Sequence, residues 1–485
     1  MGLQQMPLEV LCLIFCEKIR AATLRILYQS ITLGTDDHSC LTNTSDGFSH
    51  IFLAAYDAEE FVLARKHGYL QYTNSLSIKA PFYKVDNGHE HCFHTCEEAQ
   101  SIEDQIAGNL LPVFNACKEG ILQSFSWETG TCPPQSILGP TGYHPTNQRN
   151  ITSLRLVTTG DCAWTLSSNP MHPKVPPPPA LSSFSKLREF SWAGLSSTDF
   201  NSLRALLLRV GPQLTKLELN LEWYCHQFFQ ERERVPMPPF SETVLRLHRP
   251  EPLVFLALTS LSLSNICLDA HNLAIVKSIP FSNLEHLKLH FCPGTDRILR
   301  YLAASRSIGL RTFAFEIGYY YITHHDEEAE MAAITEFLES FQGLEELYIN
   351  ILDTPAPPTK EIWQSLGRHR KTLRRFAYHQ QEVGHPARGV EELKSCITDV
   401  LDLGFSEITD LDIFSLGHPF RHLDLRGIGL GCSPKWLTPI LSPFRYKTSL
   451  RLLHMRRSGQ DLNQDEDLLN TPGFAMIHSE IRRCP

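Results

Sequence analysis

The chain has 485 residues, 42% of them hydrophobic, and a net charge of −9 from 44 basic and 53 acidic residues. That is more apolar material than one compact domain needs, and the acidic balance argues against a general nucleic-acid binder. Fourteen cysteines follow no secreted spacing, so they read as reduced thiols of an intracellular protein, cytoplasmic or nuclear.

The N-terminus carries a short apolar run, Val10 to Cys16, with Glu9 against it and no basic region before it. It is too short to cross a bilayer and does not read as a secretory leader. Pro7 suits the first turn of a helix. Leu8, Leu11 and Phe15 then share one face, flanked by Val10 and Ile14. So short a helix with so apolar a surface is unstable alone and needs either a partner groove or a core to cap. Residues 34–69 are polar and then helical, with Phe52, Leu53, Tyr56, Phe61 and Leu63 as positions to bury.

From residue 70 a pattern L-x-x-L-x-L recurs. It is clearest at Leu258-x-x-Leu261-x-Leu263 and Leu284-x-x-Leu287-x-Leu289. Thr73, Leu122, Ile151, Leu187 and Leu214 open earlier copies, and Leu310, Leu344, Leu373, Phe420 and Leu450 open later ones. Two apolar residues two apart point to one face of a strand, and the third turns inward just before it. One such unit cannot close its own core and must lean on its neighbours. Most intervals between copies are 26 to 36 residues, which leaves room for a helix after each strand. Leu203, Leu206, Leu207 and Val210 have helical spacing, as do Ile298, Leu299, Leu302 and Ala303, and Met331, Ile334, Phe337, Leu338 and Phe341. Ser196 or Ser197, and Asp269, stand where N-caps belong. The expected fold is α/β, a solenoid with parallel strands on a concave face and helices on the convex one, closed by a tail at 458–485.

Polar insertions interrupt the array. His89, His91, Cys92, His94 and Cys96 form the densest ligand cluster, but without a second pair at finger spacing no zinc is expected. Pro170 to Pro179 holds six prolines and reads as a stiff surface loop. Tyr319, Tyr320 and Tyr321 end a strand, where an exposed aromatic patch makes a contact site and edge packing is the alternative. There is no G-x-S-x-G, P-loop or H-E-x-x-H. The glycines at 427, 429 and 431 lack the sixth-position glycine of a dinucleotide loop. No catalysis and no cofactor are expected.

The residues between the apolar positions face the concave side. In the last copies these include Arg374, Arg375, His379, Arg421, Arg426 and Arg451, a basic stripe on an acidic chain. It suits an acidic or phosphorylated protein substrate, since arginine pairs bidentately with carboxylate and phosphate.

Two resemblances follow from these residues. The array over residues 70–457 is similar to a degenerate leucine-rich-repeat horseshoe. Its usual asparagine after the strand is mostly replaced; Asn220, His290, Asn265 and Asn350 stand near that place. Met6-Pro7-Leu8-Glu9-Val10-Leu11-Cys12-Leu13-Ile14-Phe15 resembles the opening of an F-box. Leu24 to Leu33 resembles the segment that follows the F-box in many fungal F-box proteins with leucine-rich repeats. Residues 1–33 thus look like an F-box whose middle is absent. The resemblance implies that Pro7, Leu8, Val10, Leu11, Ile14 and Phe15 dock a Skp1-like adaptor. The chain would then be a substrate-recognition subunit of an SCF-type (Skp1-cullin-F-box) ubiquitin ligase, monomeric outside its complex, with no nucleic acid and no membrane involved. The alternative is an interaction scaffold without a ligase link, in which residues 7–16 cap the solenoid.

Overall fold

A computed structural model describes residues 23–24, 26–34, 68–79, 107–108, 110–129, 133–158, 179–195, 199–221, 244, 254–266, 268, 278–304, 307–318, 327–352, 359–381, 413–418 and 452–457. The chain divides into two units. The first comprises Met1–Gln227, Thr243–Arg246 and Leu253–Ala257; the second comprises Phe228–Glu242, Leu247–Pro252 and Leu258–Pro485.

In the first unit the strands are β1 (Ser30–Gly34), β2 (Ser75–Lys79), β3 (Ser124–Glu128), β4 (Ser153–Val157), β5 (Glu189–Ala193) and β6 (Lys216–Asn220). Each pairs with the next, all parallel and in chain order. In the second unit β7 (Ser260–Ser264), β8 (His286–His290), β9 (Thr312–Gly318), β10 (Glu346–Leu352), β11 (Arg375–Gln381), β12 (Ile413–His418) and β13 (Leu452–Arg457) do the same. This is a parallel α/β arrangement.

The register follows the sequence pattern. Leu76, Phe125, Leu154, Phe190 and Leu217 stand opposite one another, and so do Ile78, Trp127, Leu156, Trp192 and Leu219. All are buried, as are Leu122, Ile151, Leu187 and Leu214, which precede the strands. The second unit repeats this with Leu261, Leu287, Phe313, Leu347 and Phe376. The period-2 pattern leaves no choice of register, because a one-residue slip would turn every one of these side chains to solvent.

A backbone ladder reinforces the stacking. The carbonyl of the residue after each leading apolar position accepts two N–H groups from the next copy. Gln29 takes Asn74 and Ser75, Asn74 takes Gln123 and Ser124, Gln123 takes Thr152 and Ser153, and Thr152 takes Arg188 and Glu189. Thr259, Glu285, Arg311 and Glu345 continue it in the second unit, ending on Arg374 and Arg375. Every copy thus enters its strand at the same height, and the buried amides are satisfied.

The ladder begins at Gln29, so the sheet extends upstream of residue 70. Tyr28, Ile31 and Leu33 form a first copy: Ile31 stands opposite Leu76 and Leu33 opposite Ile78. Tyr28 packs on Tyr69 with ring centroids 5.2 Å apart, and its carbonyl accepts from Thr73 Oγ1 at 2.9 Å.

A second difference concerns β12. The copy expected at Phe420, Leu423 and Leu425 is not the strand beside β11. Residues 413–418 hold that place, with Phe414 opposite Phe376 and Leu416 opposite Tyr378. The repeating triplet is Leu411-x-x-Phe414-x-Leu416. This choice gives intervals of 38 and 39 residues where the expected one gave 47 and 30.

The strands end on a left-handed residue at three equivalent places: Gly194 with φ 74°, Asn265 with φ 59° and Phe291 with φ 50°. Each turns its N–H onto a carbonyl near the end of the next strand, those of Asn220, His290 and Glu316, at 3.0, 2.8 and 2.7 Å. Glycine and asparagine suit that conformation; phenylalanine does so only under constraint. An asparagine ladder is not needed where Thr158 Oγ1 donates to the Gly194 carbonyl at 2.7 Å and the Cys292 thiol donates to the Leu263 carbonyl at 3.4 Å.

The helices follow the strands. They are α1 (Gln135–Leu138), α2 (Tyr143–Asn147), α3 (Phe200–Val210), α4 (Thr295–Ala304), α5 (Glu327–Ser340) and α6 (Thr359–Leu366); residues 110–116 are also helical. The stripes on α3, α4 and α5 are buried as their spacing demands, except for Ala303 on α4, which is half-buried. The N-cap of α3 is Asp199, not Ser196 or Ser197. Among the described residues no helix is long and apolar enough to cross a membrane.

Among the described residues two histidines sit fully inside. Burial pushes His369 down to about 4. The Leu344 N–H can only donate, so Nδ1 of His369 accepts it at 3.3 Å and Nε2 donates to the Leu338 carbonyl at 3.0 Å. His144 packs among Phe114, Phe125 and Tyr143 with neither ring nitrogen hydrogen-bonded, and burial pushes it down to about 3.

Candidate partner-binding surface

Among the strand residues whose side chains are described, those between the apolar positions face away from the core and are half-buried or exposed, apart from Ala314, which is buried. Parallel register arranges them in rows about 4.8 Å from strand to strand.

The first unit presents mainly small hydroxyls. One row runs Ser30, Ser75, Ser124 and Ser153, and the next runs Thr32, Ser77, Ser126, Arg155 and Ser191. Charge enters at the strand ends. Glu128 lies 4.0 Å from Lys79 and 3.6 Å from Arg155 and accepts from Ser126 Oγ at 2.6 Å.

The second unit is richer in charge, and its charges are interleaved. Arg311 lies 3.6 Å from Glu345, and Arg375 lies 2.8 Å from Glu346. Further along, Glu316 lies 3.6 Å from His290 Nδ1 and accepts from Asn350 Nδ2 at 2.6 Å. Burial, with the neighbouring Lys288 charge, holds His290 below its ordinary range.

The predicted site residues are thus only partly brought together. Arg374 and Arg375 lie side by side at the start of β11, both exposed. Arg375 is already paired. His379 stands on β11 opposite Asn350 and Gly417. The strand next to β11 carries no arginine, because it is residues 413–418. Arg421 and Arg426 therefore do not share that strand, and they lie outside the described residues, as does Arg451. Register brings Arg456 of β13 opposite Gly417 instead. The adaptor-facing residues Pro7, Leu8, Val10, Leu11, Ile14 and Phe15 also lie outside the described residues, as do the 89–96 cluster, Tyr319–Tyr321 and the glycines at 427–431. Among the described residues no group of three or more histidine, cysteine, aspartate and glutamate side chains could hold a metal ion.

The sequence missed the cross-strand pairs. Glu346 and Arg375 are 29 positions apart, and only the correct stacking makes them neighbours. The signal was present as opposite charges at the same position of successive copies. No protein-family model matches the chain, and neither does any curated protein sequence.

Proposed function

We propose that this chain is a protein-recognition subunit, built as a leucine-rich-repeat-like solenoid whose outward sheet face receives a protein target. The F-box-like N-terminal segment docks a Skp1-like adaptor, which makes the chain the substrate receptor of an SCF-type ubiquitin ligase. One observation supports the recognition part above all: the register-locked ladder from Gln29 onward. It holds successive rows of polar side chains at fixed spacing and leaves them facing solvent. A surface held in this way loses little entropy on binding.

The adaptor part is supported by the apolar face of residues 7–16 and by the pattern of residues 6–15. The target is an acidic or phosphorylated protein. Arg374 is the described arginine of the expected stripe that keeps an unengaged charge, and Arg456 falls in the row of His379.

The test is to capture a target with the full chain and map the complex by cross-linking mass spectrometry. Contacts on β8 to β11, including Lys288 and residues beside Arg374, are the expected result. Contacts confined to α3, α4 and α5 would remove the sheet face from the account.

A further inference from the structure

The middle row of the second unit sets an aromatic ring between two methyl groups. The register places Lys288, Ala314, Tyr348 and Ala377 side by side on β8, β9, β10 and β11. Ala314 is buried, while Tyr348 and Ala377 are half-buried. The two alanines leave a low step on either side of Tyr348.

Each carboxylate around this ring already has a partner. Glu346, two residues earlier on β10, lies 2.8 Å from Arg375, and Glu345 lies 3.6 Å from Arg311. Glu316 accepts from Asn350 at 2.6 Å and lies 3.6 Å from His290. A ligand can therefore cover the ring without leaving a negative charge unpaired. Buried aromatic side chains ringed by such contacts dominate the energetics of protein interfaces.

Two cations nearby differ from these. Lys288 and Arg374 are exposed, and neither forms an ion pair with another described residue. The Lys288 charge does reach across the face, since it helps to hold His290 below its ordinary range. Lys288 stands two strands from Tyr348; Arg374 stands one strand from it and three residues before Ala377. With strands about 4.8 Å apart and a rise of about 3.3 Å per residue, the separations from Tyr348 are about 10 Å and about 11 Å. An extended peptide covers about 10 Å in three residues.

We propose that this face reads an extended acidic segment of a protein target. An apolar side chain of the segment sits on Tyr348, and an anionic side chain, carboxylate or phosphate, lies three residues away on each side. The inference rests on the sheet face being the recognition surface and names what that surface selects. Arg374 takes its anion through a bidentate pair, and Lys288 takes its own as a point charge. Anions set closer to the apolar residue meet Glu345, Glu346 or Glu316 instead and are repelled, which gives the spacing its selectivity.

The full chain is titrated, by fluorescence anisotropy, with a labelled glycine-serine peptide that carries phenylalanine with phosphoserine three residues away on each side. Moving both phosphates next to the phenylalanine, or replacing the phenylalanine with glycine, should weaken binding by about tenfold or more. A further peptide with glutamate in both places tells a carboxylate target from a phosphorylated one. In Lys288→Ala, and separately in Arg374→Ala, the doubly and singly phosphorylated peptides should bind alike, at unchanged melting temperature. No binding of the doubly phosphorylated peptide, equal affinity at both spacings, or a full benefit of the second phosphate in either variant would overturn the proposal. Benzoylphenylalanine in place of the phenylalanine locates the bound peptide. Cross-links on β8 to β11 without the spacing preference sink this inference alone, whereas cross-links confined to α3, α4 and α5 remove the sheet face as well.

Discussion

The Arg375 guanidinium lies 2.8 Å from the carboxylate of Glu346 on the neighbouring strand. An arginine already engaged in this way has less to offer a ligand than an unengaged one. Arg374, exposed and one residue earlier, has no such partner among the described residues.

The two arginines should therefore behave differently. Arg374→Ala should weaken target binding by about tenfold or more, since a charge-assisted contact contributes roughly 1.5–3 kcal/mol. Arg375→Ala should cost less, because it also frees Glu346. Both effects should shrink as salt is raised. Titration of the captured target at two ionic strengths measures this, and a larger loss for Arg375→Ala would reverse the assignment.

The placement of β12 gives a second prediction. Phe414 stands opposite Phe376, which is buried. Phe414→Ala should destabilise the fold by about 3 kcal/mol or more, in the range of buried aromatic truncations. Leu423→Ala should cost clearly less. Urea unfolding of the two variants decides between the alignments, and the opposite order would favour the copy at Phe420.

The buried histidines predict an acid response. His144 is held down to about 3 and His369 to about 4, against an ordinary value of 6.5. Below pH 6.5 the unfolded chain therefore binds protons that the folded chain refuses, so stability falls as pH falls. The loss runs from 6.5 down to each folded value and stops there. At pH 5 it amounts to roughly 2 kcal/mol per histidine.

His144→Phe keeps the aromatic packing and gives up no hydrogen bond, so it should be neutral or stabilising at pH 7. At pH 5 it should exceed the wild type by roughly 2 kcal/mol. His369→Phe should instead cost about 1–3 kcal/mol at pH 7, because the Leu338 carbonyl and Leu344 amide lose their partner. Melting temperatures at the two pH values test both; parallel acid losses in His144→Phe and wild type would contradict the reading.

Much of this architecture was legible in the sequence because period-2 burial is a strict constraint. Leu284, Leu287 and Leu289 could sit in only one register. The β12 strand was misplaced because Phe420, Leu423 and Leu425 satisfy the same local pattern as Leu411, Phe414 and Leu416. Only pairing to Phe376 separates them. The first copy at Tyr28 was obscured by its likeness to the segment that follows an F-box. The surface was less legible still. Charges such as Glu346 and Arg375 become partners through stacking, which a scan of single copies does not supply. His144 shows the limit from the other side: it is buried, but only packing reveals that neither ring nitrogen has a hydrogen-bond partner.

A chain that joins a recognition face to an adaptor-docking segment must bind the adaptor through residues 7–16. The purified full chain is titrated with a Skp1-like adaptor by calorimetry, alongside the double variant Leu11→Asp/Phe15→Asp. The account predicts one-to-one binding by the wild type and none by the variant, with the variant's melting temperature unchanged. No binding by the wild type, or a variant that melts early because two carboxylates have entered a core, would contradict it and leave residues 7–16 as a cap.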